Sequence, residues 1–259
     1  MIHFIFPSDP FNKRVVDPEY EDDLNALTTR AFNHSLFSFE DFMDGKFKPI
    51  PIIPEGVSVV YRGWMMTPDT YSMLNDALVT SGASLVTSPT QYRLCHHLPE
   101  WYNLCAEFTP QTIITERAAN FATVLHGNTW ARFFVKDYVK SLSNTHGSFA
   151  STPEQVHEIV NLMEQYRGSV EGGVCIREVE QFISETEERY FVFNKQVHGR
   201  DGQAIPDMVN TIASRINSPF FSIDVIEDVN HNLRLIELGD GQVSSIKKWK
   251  ADDFASIFV

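Results

Sequence analysis

The sequence predicts a mixed α/β protein in which a small N-terminal lobe built on a parallel sheet precedes a larger α+β region. Three observations carry this reading. The first hundred residues alternate short apolar strands with helical stretches, which is the order of parallel β–α–β units. Further on, two apolar strands follow each other across a short polar turn, which is the order of an antiparallel pair. Between them, residues 89–110 hold three prolines and clusters of Trp and His without a clear period, so a junction is expected there and the lobes are divided as 1–109 and 110–259.

In chain order, residues 2–6 read as a buried strand, followed by a loop rich in Pro, Asp and Asn. Residues 20–32 have helical spacing with a carboxylate-rich first turn. A second strand is expected at 57–61, a helix over 68–81 ended by Gly82, and a short strand at 85–87. Past the junction, the pattern predicts a helix over 116–127, a strand at 131–135, a helix over 152–166 and a strand at 174–180. A single strand with alternating faces is expected over 189–197, then a helix over 206–216. Strands at 220–226 and 233–238 pair across Asp228-Val229-Asn230-His231-Asn232. There is no internal repeat or low-complexity tract.

With 43% hydrophobic and 21% charged residues, and 20 Phe among the 259, the chain has an ordinary folded composition. A formal net charge of −13 disfavours nucleic acid and an anionic membrane as partners, since both require clustered Lys and Arg. It does not disfavour one nucleotide, which needs a few cations and a metal held by carboxylates. Cys95, Cys105 and Cys175 are too few and too irregular for a disulfide framework and fit a reducing compartment. No signal peptide or membrane span is legible, so a cytoplasmic protein is expected, while the sequence is silent on oligomeric state.

Chemistry concentrates in three places. Asp224 and Glu237 sit inside the apolar strands Ser222-Ile223-Asp224-Val225 and Leu235-Ile236-Glu237-Leu238, and Gly239-Asp240-Gly241-Gln242 follows. Buried carboxylates need a partner, and Asp224, Glu237 and Asp240 together offer hard oxygen ligands for Mg²⁺; acids at strand ends facing solvent are the plainer alternative. Lys136 ends the strand Phe133-Phe134-Val135, where it can be presented to phosphate oxygens, and Lys140 follows four residues later. The polar loop 141–148 can close over phosphates or be an ordinary surface loop. Arg177 lies in the apolar strand 174–180, and Glu187 and Arg189 share a face of the next; each arginine suits an anionic substrate or a structural pair with Glu. Arg62 and Trp64 follow a strand of the N-terminal sheet at its carboxyl end and are substrate-side candidates, with a structural role as the alternative for Arg62. Cys95-His96-His97 with Cys105 fits no closed zinc pattern, Cys175 reads as a core thiol, and Lys247-Lys248-Trp249-Lys250 reads as a solvated basic cluster or, less commonly, a phosphate contact.

Taken in order, Phe4-Ile5-Phe6-Pro7-Ser8-Asp9, Tyr61-Arg62-Gly63-Trp64-Met65, Val135-Lys136-Asp137-Tyr138-Val139-Lys140-Ser141 and Ile236-Glu237-Leu238-Gly239-Asp240-Gly241-Gln242-Val243 resemble the ATP-grasp superfamily. The resemblance is to its bacterial and phage clade with two arginines and a lysine around the nucleotide. It implies a pre-ATP-grasp lobe and two α+β lobes clamping ATP. It further implies that Lys136 contacts the phosphates and that Arg177 and Arg189 are the two arginines. By the same likeness, the backbone of Glu178, Val179, Glu180 and Gln181 reads the adenine edge, Glu180 or Glu187 holds the ribose, and Asp224 and Glu237 bind metal. The family's usual Asn two residues after the metal-binding Glu is Gly239 here, which makes Asp240 the substitute ligand.

The implied activity is ATP- and Mg²⁺-dependent ligation of a carboxylate to an amine or thiol through an acyl phosphate, with a small molecule or peptide as substrate. An ATP-grasp kinase and a non-catalytic ATP-dependent binding or assembly factor are the alternatives.

Overall fold

The computed structural model describes residues 1–142 and 147–259, which separate into two compact units. The first comprises Met1–Cys95, Arg189–Ile223 and Gly239–Val259, and the second His96–Glu188 and Asp224–Leu238. Each unit is therefore assembled from segments distant in sequence.

The first unit holds a parallel sheet of order β2-β1-β3-β4, from β1 (Ile2–Pro7), β2 (Asn33–Phe37), β3 (Ser58–Tyr61) and β4 (Ser84–Leu85). Its connections carry α1 (Glu21–Thr29), α2 (Phe39–Met43) and α3 (Pro68–Thr80), and α4 (Pro89–His96) follows. Alternation along β1 sends Phe4 and Phe6 to one face and Ile5 to the other. Ile5 packs with Val59, Tyr61, Tyr71 and Leu74. Phe4 and Phe6 pack with Leu27 and with Phe191, Phe193, Phe220, Trp249 and Phe254, residues supplied from the far end of the described chain. Helix α8 (Asp207–Arg215) also belongs here, and α9 (Ala251–Ser256) lies against α1.

In the second unit, an antiparallel sheet of order β5-β8-β6-β7 is made from β5 (Thr112–Thr115), β6 (Phe133–Asp137), β7 (Phe149–Ala150) and β8 (Val174–Glu178). One face, with Phe133, Val135, Val174 and Ile176, packs on Val156, Val160 and Met163 of α7 (Pro153–Arg167). The same unit holds α5 (Leu98–Cys105) and α6 (Phe121–Val124).

A third sheet, of order β10-β9-β11-β12, uses β9 (Phe182–Phe193), β10 (Gln196–His198), β11 (Phe220–Asp228) and β12 (Leu233–Asp240). Strands β9, β11 and β12 each run from one unit into the other.

Several expectations are corrected. Residues 89–108 are not irregular: they form α4, α5 and a 3-10 turn, because Pro89 and Pro99 stand in first turns where no N–H is required. The single strand expected over 189–197 is a hairpin, turned by Asn194 and Lys195 at φ of 47° and 70°. The helix expected over 116–127 shrinks to α6, started by an Asn120 cap. Strands β2, β5 and β7 and helices α2 and α9 were not expected. Among the described residues no helix is long and apolar enough to cross a membrane.

Candidate functional site

The antiparallel sheet of the second unit has a polar face opposite its core. Phe134 pairs with Arg177 and Lys136 with Cys175 across β6 and β8, so these four point away from α7. Phe134, Lys136 and Arg177, with Val139, Lys140 and Ser141, line a cavity of about 330 Å³ completed by Ile236 and Glu237. Three cations and one carboxylate thus share a single hollow.

Lys136 donates from Nζ to Glu237 Oε1 at 2.7 Å, with its own side chain nearly enclosed and that of Glu237 40% exposed. Arg177 is 5% exposed and among the described residues its hydrogen bonds reach only neutral acceptors: Nη1 donates to the Ile236 carbonyl at 3.0 Å and Nη2 to Thr109 Oγ1 at 2.6 Å. Its Nε has no hydrogen-bond partner among the described residues. Burial pushes the Arg177 pKa below its ordinary value, partly offset by the charge of Glu237. A buried cation without a hydrogen-bonded anion, lining a cavity, is a site that an anionic ligand completes.

Asp137 shapes the rim. Its Oδ1 accepts from the N–H groups of Val139 and Lys140 at 2.8 and 2.6 Å, and its Oδ2 from Arg167 Nη2 and the Glu171 N–H. This fully used carboxylate folds the turn that carries Lys140 and Ser141 into the cavity. Of the loop expected to cover phosphates, residues 143–146 lie outside the described residues.

A second, apolar cavity of about 190 Å³ shares Phe134, Arg177 and Ile236 with the first and is lined further by Pro110, Phe149, Phe182, Glu178, Val179 and Glu180. Phe134 and Phe149 meet edge to face at 5.3 Å between ring centroids. Along this wall, Glu178 and Val179 already donate their N–H groups to the carbonyls of Gln111 and Arg132, and the Gln181 carbonyl accepts from Val229. Two N–H groups of the expected hinge, those of Glu178 and Val179, are thus already used within the fold. Glu180 is gripped by the fork of Arg234 at 2.8 and 2.7 Å, while Glu187 lines neither cavity.

Asp224 is buried on β11 in the same unit as Glu237. Asp240 belongs to the first unit. Lying three residues beyond Glu237 on β12, it projects from the opposite face of the strand, and it is wholly buried in the first unit. There its Oδ1 accepts from the backbone N–H and the side-chain Nε2 of Gln242, whose Nε2 also donates to Tyr71 Oη, and burial pushes its pKa up to about 7. Among the described residues, no three His, Cys, Asp or Glu side chains gather as a metal-binding group.

Arg62 is also structural. At 2% exposure it donates to Asp23 Oδ2 from Nε and Nη2 and to the carbonyls of Gly241, Gln242 and Ser244 from Nη1, so its fork is spent on the protein itself and not on a substrate. Trp64 donates its Nε1 to Glu19 and rests on Tyr20 and Phe39. Arg189 belongs to the first unit, where its Nη1 donates to the Ser245 carbonyl at 2.6 Å and its own carbonyl accepts from Trp249 Nε1. Trp249 is therefore core, not part of a solvated basic cluster. The three cysteines are buried thiols.

Thr109 and Arg234 had no place in the sequence expectations. Neither stands in a motif, and the signal that reveals each is its bond to Arg177 or Glu180.

Residues 122–258 match the model of an ATP-grasp domain family, the third family of the clade named for two arginines and a lysine. No curated protein matches the chain. Among solved structures, the ATP-grasp ligase PsnB, complexed with minimal precursor, Mg and ADP, is similar at TM-score 0.63 and 12% identity, covering 99% of this chain and 96% of that one. D-cycloserine synthetase DcsG aligns at TM-score 0.64 and 11% identity over 100% and 98% of the two chains. A RimK domain protein from Sphaerobacter thermophilus aligns at 0.61 and 14% over 99% and 98%. At these identities the likeness is one of fold.

Proposed function

From a chain that belongs to the ATP-grasp superfamily, in the third family of its two-arginine, one-lysine clade, we propose an ATP- and Mg²⁺-dependent ligase that joins a carboxylate to an amine or thiol. The observation that carries it is the pair of contiguous cavities: one ringed by Lys136, Lys140 and Arg177, the other apolar and aromatic. A triphosphate fits the first and an adenine the second. On this reading residues 110–259 form the ATP-grasp portion and 1–109 a preceding lobe.

Lys136 exchanges Glu237 for phosphate oxygen when nucleotide enters, which frees Glu237. With Asp224 as second ligand, Glu237 would hold Mg²⁺; two carboxylates suffice for a metal completed by phosphate oxygens. The metal would supply charge neutralisation when bound. Arg177, already desolvated, offsets charge developing on the transferred phosphoryl group and the carboxylate it joins. Glu180, oriented by Arg234, accepts from the ribose hydroxyls, and Phe134, Phe149 and Phe182 keep water from the base. The carboxylate becomes an acyl phosphate with loss of ADP, and attack by the amine or thiol expels phosphate. Because PsnB and a second neighbour, the macrocyclase MdnC, are described in complex with peptide precursors, a peptide carboxylate is the substrate class to screen first. An ATP-rich reducing compartment, the cytoplasm, suits the three thiols.

The deciding experiment is the thermal shift of the protein with ATP plus Mg²⁺, beside ATP plus EDTA and GTP plus Mg²⁺. A metal-dependent upshift selective for ATP is expected, and its absence at millimolar nucleotide overturns the reading. In turnover assays Glu237→Ala should abolish ADP release while leaving the fold intact. Trapping by hydroxylamine then distinguishes an acyl phosphate from the stable phosphorylated product of a kinase. ATP binding without turnover marks an assembly factor.

A further inference from the structure

Thr109 is 1% exposed and its hydroxyl is fully committed. Oγ1 donates its single proton to the Leu235 carbonyl at 2.8 Å, so the lone pairs are left for Arg177 Nη2 at 2.6 Å. The donor and acceptor roles are therefore fixed, and only a cationic or N–H donor suits the second contact. Arg177 needs such an anchor. Without a carboxylate among its hydrogen-bond partners, the orientation of its guanidinium depends on two neutral acceptors, Thr109 Oγ1 and the Ile236 carbonyl. Three successive residues of β12 are involved: Leu235 takes Thr109, Ile236 takes Arg177 and Glu237 takes Lys136. Thr109 thus ties the direction of Arg177 to the strand that carries the carboxylate of the same cavity.

We propose that Thr109 is a positioning residue for the anionic part of the nucleotide, holding Arg177 toward the shared wall of the two cavities so that it meets phosphate oxygens without rearrangement. This rests on the ATP reading of the site. Calorimetric titration of the full chain with MgATP and with adenosine tests it, comparing wild type, Thr109→Val, which keeps the shape and removes the hydroxyl, and Thr109→Ser, which keeps the hydroxyl. Thr109→Val should weaken MgATP by about tenfold, leave adenosine unchanged to within about twofold, and be rescued by Thr109→Ser. Should the valine variant fail to fold, Thr109→Ala against Thr109→Ser gives the same comparison. Unaltered MgATP affinity in Thr109→Val, equal loss of MgATP and adenosine, or a serine variant as weak as the valine one would each overturn the proposal. A wild-type protein that binds adenosine and MgATP equally would also overturn it. Wild type that binds neither ligand instead removes the ATP reading on which it stands.

Discussion

Arg62 and Arg177 are both arginines sunk below the surface, and they differ in what answers their charge. Arg62 has Asp23, itself buried, while Arg177 has a hydroxyl and a carbonyl. Arg62→Met should therefore strand a buried carboxylate and lower stability by about 3–5 kcal/mol in urea unfolding. Arg177→Met removes a cation that folding had to desolvate, so it should lose less stability while erasing the ATP-dependent thermal shift; equal destabilisation by the two changes would contradict the distinction. His96 offers a pH test. Burial, reinforced by His97, Lys136 and Lys140, drives its pKa down from 6.5 to about 3. The folded state thus refuses a proton that the unfolded state accepts, and the stability present above pH 6.5 is lost as pH falls through that window toward 3. Relative to His96→Asn, wild type should lose up to about 1.4 kcal/mol per pH unit there, and a difference independent of pH would refute the shift. The sequence made Lys136, Arg177 and Glu237 legible because each is a charge inside an apolar strand. It hid the partner of Arg62, since Asp23 lies 39 residues earlier, and the surroundings of Asp240, whose strand parity sets it on the face opposite Glu237.

Elements were legible where periodicity and caps agreed. The helix over 152–166 matches α7 because Thr152 caps it, accepting from the Gln155 N–H, and Gly168 closes it in the left-handed region. Thr152→Ala should cost about 1 kcal/mol in urea unfolding, since the cap bond is lost while the packed face remains. The elements missed are those whose signal competes with another. Proline was read as a breaker at 89 and 99, although it opens helices there. The run 189–197 alternates so evenly that the two-residue turn within it is invisible without the positive φ of Asn194 and Lys195. Strand β2 begins Asn33-His34-Ser35, too polar to read as buried, yet Ser35 is fully enclosed and bonded to His3 at 2.8 Å.

At the scale of the molecule, the α/β class and the family were readable because their motifs occur in order along nearly the whole chain. The spatial units were not, because three strands pass through both. A fragment of residues 110–259 keeps the residues that line both cavities but lacks Thr109, and it deprives Phe191, Phe220 and Phe254 of Phe4, Phe6 and Leu27. It should therefore lack the dispersed amide spectrum of a folded protein, whereas a well-dispersed spectrum would show that the C-terminal portion folds alone.

The contact of Phe4 with Phe258, edge to face at 5.0 Å, also sets a clock on biosynthesis. A ribosome adding roughly 5–20 residues per second needs from about 10 s to 1 min to travel between them. Until Phe258 emerges the nascent β1 lacks the late part of the cluster that encloses Phe4 and Phe6, so newly made chains should bind chaperones more than the completed fold does.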